Sequence, residues 1–184
     1  MVPENIISNI KDDLLAGSID ETYYNELFDV LSQLTDAPKI PYITFMNYLR
    51  NLPSSHTIYV YRILNPDNDS NNPDSNNNPD SNNNPDSNNN PDKKYKIVGT
   101  ISLIIEQKLI HGGAKCGHIE DLVVSLEWRG QNIAQEMLEF CKDQCRISGC
   151  YKVILDCHER LERFYEKNGF SRAGAMMRYN IFGD

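Results

Sequence analysis

Glu120 and Asp121 stand side by side in the stretch His118-Ile-Glu-Asp-Leu-Val-Val-Ser-Leu-Glu-Trp-Arg-Gly-Gln-Asn-Ile-Ala-Gln135, and a polar turn, Arg129-Gly-Gln-Asn-Ile-Ala134, follows shortly after. Carboxylates accept hydrogen bonds from hydroxyls and ammonium groups, and one held beside an amine can take its proton. An Arg/Gly turn that opens a helix suits a different partner. The first helical turn leaves backbone N–H groups unpaired and carries partial positive charge, so phosphate groups bind there. The turn by itself has the same letters as an ordinary helix start with a solvated arginine. Its weight depends on what surrounds it.

The surrounding elements can be read from periodicity. Ile119, Leu122, Val123 and Val124 are a short apolar run rich in β-formers, so the carboxylates ride on a strand that ends in the turn Ser125–Gly130. A helix from about Gln131 to Ser148 follows, with Ile133, Met137, Leu138, Cys141 and Cys145 at 3.6-residue spacing and Gly149 as the stop. Tyr151–Cys157 reads as a buried strand, parallel to 118–124 through a right-handed crossover. Glu159–Asn168 is a short helix, closed by Gly169, and Ala175–Phe182 is the last strand. Upstream, residues 1–19 read as an amphipathic helix on Ile6, Ile7, Ile10, Leu14 and Leu15. Asp20 caps a second helix that ends near Thr35, and Ile43, Phe45, Met46 and Leu49 mark a third, stopped before Pro53. His56–Leu64 and Lys96–Glu106 are strands expected to pair antiparallel, and Lys108–His111 is expected to run on into further strand before Gly112-Gly113.

Between the two paired strands lies a tract, residues 65–92, in which Pro-Asp-Ser-Asn-Asn-Asn recurs three times from Pro73. It has no apolar residue to offset chain entropy, so it is expected to be a disordered insertion at a hairpin tip within one domain spanning 1–184. The tract holds six Asp and no Lys or Arg, so the formal charge of −8 falls to −2 without it. The acidity therefore says nothing about the partners of the folded part. No basic stripe supports nucleic-acid binding, and no apolar run is long enough to span a membrane. The five cysteines are odd in number and lack Cys-x-x-Cys spacing, which argues against a disulfide framework or a metal site and for reduced thiols in a cytoplasmic setting.

Several stretches together carry a family likeness. Arg129-Gly-Gln-Asn-Ile-Ala134 resembles the pyrophosphate loop of the GNAT acetyltransferases, with Asn132 at the middle glycine, where Asn tolerates φ > 0. Leu31-Ser-Gln-Leu-Thr35, Ile104-Ile-Glu-Gln-Lys-Leu-Ile-His111, Gly117-His-Ile-Glu-Asp-Leu-Val-Val124, Gly149-Cys-Tyr-Lys-Val-Ile-Leu-Asp-Cys157 and Phe164-Tyr-Glu-Lys-Asn-Gly-Phe170 resemble, in order and spacing, the glucosamine-6-phosphate N-acetyltransferases within that group. The resemblance covers roughly residues 20–184 apart from the tract. It implies an α/β GNAT fold: a mixed, mostly antiparallel central sheet with helices on both faces and one parallel strand–helix–strand crossover.

The resemblance also implies acetyl-CoA as co-substrate, no metal, glucosamine 6-phosphate as acceptor and a homodimer that shares C-terminal segments. Leu122, Val123, Val124, Arg129, Gly130, Gln131, Asn132, Ile133, Ala134, Gln135 and Tyr165 would hold acetyl-CoA. Thr35, Lys108, Leu109, Ile110, His111, Glu120, Asp121, Tyr151, Lys152 and Arg178 would line the sugar-phosphate pocket. The amine attacks the thioester directly in this family. Glu120 or Asp156 is then the base, a strand N–H around Leu122–Val124 the oxyanion donor, and Tyr165 the donor to the leaving thiolate. Three positions depart from the pattern. Leu161 replaces a usual Asn, Asn180 falls near the usual C-terminal Arg with Arg178 as its alternative, and the family's first strand is not evident in residues 1–19. Another GNAT acting on a different small amine or a protein N-terminus, and a non-catalytic acyl-CoA-binding module, remain the competing readings.

Overall fold

A strand that alternates sides joins two cores. In β2 (His56–Leu64), Tyr59, Tyr61 and Ile63 enter one apolar cluster while Val60 enters another on the opposite face. The computed structural model describes residues 6–65 and 95–181. The sheet has five strands in the order β1-β2-β3-β4-β5, with β1 (Ile6–Asn9), β3 (Tyr95–Gln107), β4 (Lys115–Val124) and β5 (Cys150–Ile154) completing it. All neighbours run antiparallel except β4 and β5, which are parallel. Helices α1 (Ile10–Leu15), α2 (Glu21–Leu31) and α3 (Tyr42–Asn51) cover one face through Ile10, Leu27, Phe28, Phe45 and Leu49. Helix α4 (Ile133–Ile147) covers the other through Ile133, Met137, Leu138, Cys141 and Cys145, and α5 (Glu162–Lys167) packs beside it. This is the expected mixed sheet with helices on both faces.

Several expectations change. Residues 6–15 are a strand followed by a short helix, not one helix: the Asn9 side chain accepts from the Lys11 amide and caps α1 (2.9 Å), which frees residues 6–9 to pair with the edge of β2. Helix α2 starts at its Asp20 cap as expected but stops at Leu31, with a turn carrying the chain to Thr35. Lys108–His111 does not extend a strand. His111, Gly112 and Gly113 all adopt positive φ (54°, 68° and 78°), and Lys108 N–H donates to Ala114 C=O (3.0 Å) to close a tight turn. The second parallel strand ends at Ile154 rather than Cys157. Residues 175–181 form no strand, because no strand among the described residues lies beside them; Phe182 is outside the described residues. The hairpin of β2 and β3 is present, and the repeat tract expected at its tip lies outside the described residues.

Candidate active site

Val124 is the last residue of β4, and everything that follows turns the chain sharply into α4. Ser125 N–H donates to Val98 C=O (2.8 Å), a single 3₁₀ turn spans Leu126–Trp128, and the Arg129 Nε–H reaches back to Val124 C=O (3.0 Å). Leu126 N–H donates to Gln33 Oε1 (2.7 Å), which ties this turn to the end of α2. Gly130 (φ 80°) and Asn132 (φ 64°, ψ 6°) are both left-handed. Ile133, almost fully buried, anchors the first helical turn in the core. The first bond inside α4 is Glu136 N–H to Asn132 C=O (3.0 Å), so the amides of Ile133, Ala134 and Gln135 have no partner within the helix. No side chain caps them. Three free amides at the positive end of a four-turn helix, beside Arg129, make a donor set suited to a diphosphate.

The strained residue in this loop gives a direct check. Asn132 tolerates the left-handed region, whereas a β-branched residue there costs roughly 1–2 kcal/mol. Asn132→Gly should therefore keep both melting temperature and affinity for coenzyme A. Asn132→Val should lower the melting temperature by a few degrees and weaken coenzyme A binding about tenfold in a calorimetric titration.

Beyond the turn, the sheet itself opens. β5 pairs with β4 only at Lys115↔Cys150, Cys116↔Lys152, Gly117↔Val153 and His118↔Ile154. From Ile119 to Val124, the β5-side edge of β4 has no strand partner among the described residues, so backbone donors and acceptors there are available to an extended ligand. A bulge lies in the same stretch. Thr100 pairs with Val123 and Ser102 with Glu120, which leaves Asp121 and Leu122 against Ile101, and Asp121 takes φ 51°. The bulge resets the alternation: Ile119 and Leu122 pack on the α4 side, whereas Val123 packs on the α1–α3 side.

Pairing across the sheet decides which charged groups share a face. Glu120 lies beside Ser102, His118 beside Ile104, and Lys152 beside Cys116, all on the face opposite α4. Asp156 follows in the extended segment after β5. Partial burial, first, and then the charges of Asp156 and Asp121 push the Glu120 carboxyl above its ordinary range, while His118 pulls it down. A carboxyl held less acidic than usual beside two others has the character of a proton acceptor for an amine.

The structure groups some of the residues expected on the phosphate side and separates others. Lys108 and His111 sit in the tight turn, where the His111 ring lies 4.9 Å from the Tyr151 ring and Lys152 Nζ lies 5.4 Å from the same ring. Leu109 and Ile110 project into solvent from that turn. Lys108 is not a free cation: its Nζ pairs with Glu106 Oε2 (2.5 Å), which also contacts His118 Nε2 (2.9 Å). The Lys108 hydrogen bond, followed by that of His118, holds the Glu106 carboxyl below its usual range. Glu106 went unnoticed in the sequence; its position two residues before Lys108 at a strand end, on the face of His118, is a signal only once the register is known. Thr35 follows the turn after α2, its N–H pointing to Leu31 C=O (3.5 Å). Arg178 lies on the exposed C-terminal segment and forms no hydrogen bond or ion pair among the described residues.

Tyr165 approaches from the other side. It sits on α5, packed edge-on against Phe164 (5.0 Å) and Phe170 (6.0 Å), and it joins the α4-side core with Leu122, Ala134 and Leu155. Its hydroxyl makes no hydrogen bond among the described residues. Burial, and secondarily Cys157, raises its pKa above the ordinary value, so it is a protonated donor at neutral pH. The carboxylates face one side of the sheet and Tyr165 the other. The gap between β4 and β5 is where the two sides meet.

The family model of the GNAT acetyltransferases matches residues 57–170, the span that carries all of these features apart from Gln33, Thr35 and Arg178. The chain belongs to the GNAT acetyltransferase family. Among curated proteins it is 45% identical over 82 residues to the glucosamine 6-phosphate N-acetyltransferase of Arabidopsis thaliana, a stretch that is 45% of this chain and 55% of that protein. It is 46% identical over 85 residues to glucosamine 6-phosphate N-acetyltransferase 1 of Dictyostelium discoideum, 46% of this chain and 54% of that one. The matches thus span about half the length of these curated relatives. The crystal structure of the Arabidopsis thaliana glucosamine-6-phosphate N-acetyltransferase superposes with a TM-score of 0.66 at 27% identity, covering 96% of this chain and 98% of that one. An acetyltransferase from Trypanosoma brucei gives 0.67 at 25% identity, covering 97% and 100%.

Proposed function

We propose that the protein transfers the acetyl group of acetyl-CoA to the amine of D-glucosamine 6-phosphate, giving N-acetylglucosamine 6-phosphate and free CoA, by direct attack in a ternary complex. The observation that carries this reading is the likeness to glucosamine 6-phosphate N-acetyltransferases at 45% identity over 82 residues and 46% over 85. The free amides of Ile133–Gln135 and Arg129 suit the diphosphate of the co-substrate, and the open edge of Ile119–Val124 suits its extended arm. Lys152 supplies positive charge for the sugar phosphate, joined by Lys108 where the phosphate competes with Glu106 for it, and Glu120, Asp121 and Asp156 supply acceptors for the sugar hydroxyls and the ammonium. Glu120 or Asp156 takes the ammonium proton, a β4 amide receives the oxyanion, and Tyr165 donates to the departing sulfur.

The site is complete only as a homodimer in this reading. The C-terminal segment exposes Met176, Met177, Tyr179 and Ile181 (63, 90, 86 and 74%), apolar side chains with no cover among the described residues. A second subunit would cover it and bring Arg178 to a neighbouring phosphate. The protein acts in the cytoplasm in this reading, where acetyl-CoA and reduced thiols coexist; no helix among the described residues is long and apolar enough to cross a membrane.

The test is an acceptor panel, with purified protein, acetyl-CoA and release of free thiol as the readout. Glucosamine 6-phosphate should outpace glucosamine, polyamines and peptide N-termini. Release no faster with the sugar phosphate than without an acceptor would remove the proposal. The pH profile adds a second check. Because the base works deprotonated, kcat/KM falls as pH drops through its pKa. With Glu120 as base, that limb lies above the ordinary glutamate value of about 4.3. Asp156→Asn removes a charge that raises Glu120 and should move the limb to lower pH. Loss of the limb together with a drop of about a hundredfold in rate would instead make Asp156 the base.

A further inference from the structure

Helix α4 opens on free amides even though two residues suited to closing such an end stand beside them. Asn is among the best N-capping residues, and a Glu in the first turn can reach back to the same amides. Both are turned away here. The Asn132 side chain, on a left-handed backbone, accepts from Gln135 Nε2 (3.2 Å) and caps no backbone amide. Glu136, in the first turn, accepts through Oε2 from the Tyr61 hydroxyl on β2 (2.5 Å), a charge-assisted bond. Among the described residues no other hydrogen bond, and no Lys or Arg, meets that carboxylate. Glu136 is exposed and Tyr61 fully buried, so the bond runs from the core to the rim of the α4 turn. The sheet builds its reach. Tyr61 lies opposite Gly99, at a shift of register, with its ring on the α4 side. A Cβ at position 99 would meet Met137 Sδ at 3.1 Å, so the glycine lets the first turn of α4 settle close to the sheet, within range of the Tyr61 hydroxyl.

We propose, on the reading that the diphosphate of acetyl-CoA seats at this turn, that Tyr61 is a positioning residue for the co-substrate: its hydroxyl holds the Glu136 carboxylate off the amides of Ile133–Gln135. A long side chain on a helix lies over the turn N-terminal to its own Cα, so a released Glu136 covers those amides, drawn there by the positive end of the helix. It then occupies donors that the diphosphate needs and sets like charge beside it. Phenylalanine at position 61 keeps the buried ring and loses the tether. A bond that merely pinned α4 to the sheet behaves differently, because either end of it would then matter equally. Here the harm comes from the freed carboxylate, so removing that carboxylate undoes it.

Calorimetric titration with coenzyme A alone, with no acceptor present, tests this apart from the choice of acetyl acceptor. Tyr61→Phe should bind coenzyme A about tenfold more weakly than the unsubstituted protein. In the transfer assay its KM for acetyl-CoA should rise by a similar factor while kcat stays within about twofold. Glu136→Ala breaks the same hydrogen bond but leaves no carboxylate, so it should bind at least as tightly as the unsubstituted protein. The double variant Tyr61→Phe/Glu136→Ala should return to within about twofold of it. Melting temperatures of the unliganded variants establish that each is folded, and Glu136, being exposed, keeps the test available where Tyr61→Phe costs stability. A folded Tyr61→Phe that binds within about twofold of the unsubstituted protein would overturn the proposal. So would Glu136→Ala weakening as Tyr61→Phe does, or a double variant that stays weak; either result makes the bond a helix pin. If the unsubstituted protein itself shows no binding of coenzyme A up to about 1 mM, the placement of the diphosphate falls, and the role of Tyr61 falls with it.

Discussion

Tyr165→Phe should lower kcat about a hundredfold while leaving the KM for both substrates within about twofold. The expectation rests on what the hydroxyl does and does not touch. It makes no hydrogen bond among the described residues, so removing it forfeits no ground-state contact there. The ring contacts with Phe164 and Phe170 survive in phenylalanine, so the fold should lose little stability. Burial keeps the phenol protonated, which is the form that can donate to a departing sulfur. An effect confined to kcat marks an interaction made only in the transition state. Steady-state rates followed by free thiol, with the melting temperature measured in parallel, decide the point. Unchanged turnover in a folded variant would leave Tyr165 as a core aromatic and move the leaving-group role elsewhere.

Much of the backbone around the candidate site is legible in the chain because its parts are local. The loop Arg129–Ala134 and the helix after it are contiguous, and Asn132 at a glycine position foretold the left-handed backbone that the turn adopts. The parallel pairing of β4 and β5 followed from strand, helix, strand in succession. What the letters did not show is long-range. The bulge that exposes Asp121 depends on the register between β3 and β4, and Glu106 became visible only when that register placed it beside His118. The stretch Lys108–His111 reads as strand because Leu109 and Ile110 look like β-formers. In the structure both are exposed, and Gly112-Gly113 together with His111 supply three positive φ angles in a row. The C-terminal strand failed for the opposite reason: its alternation is real, but a strand needs a neighbour, and none lies beside it among the described residues.

Asp13 is the clearest case of a residue whose importance the sequence hides, and Asp13→Ala should cost about 3–5 kcal/mol of stability. In the sequence it looks like the polar face of an amphipathic helix. In the structure it is 6% exposed and joins four elements. Its Oδ2 accepts from Ser8 Oγ on β1 and from the Tyr23 hydroxyl on α2, each at 2.8 Å, and its Oδ1 pairs with Arg62 on β2 at 3.3 Å. Burial, and then the Asp13 charge, push the Tyr23 phenol well above its ordinary range, so it remains a donor throughout the working pH. Alanine would leave the Arg62 guanidinium, whose Nε already lacks a partner among the described residues, buried without its counter-ion, and two hydroxyls without an acceptor. For a domain of this size the melting temperature should fall by on the order of 10 °C. Asp13→Asn keeps an acceptor oxygen and should lose less. The double variant Asp13→Leu/Arg62→Met removes both charges and should recover a large part of the loss, because the penalty lies in the orphaned charge more than in the missing attraction. None of these residues belongs to the proposed acetyl-transfer site, so the folded fraction of each variant should keep its KM for acetyl-CoA. A fall of less than about 2 °C in Asp13→Ala would mean that solvent reaches Arg62 and that the cluster ties the edge strand to the helices far more loosely than its geometry implies.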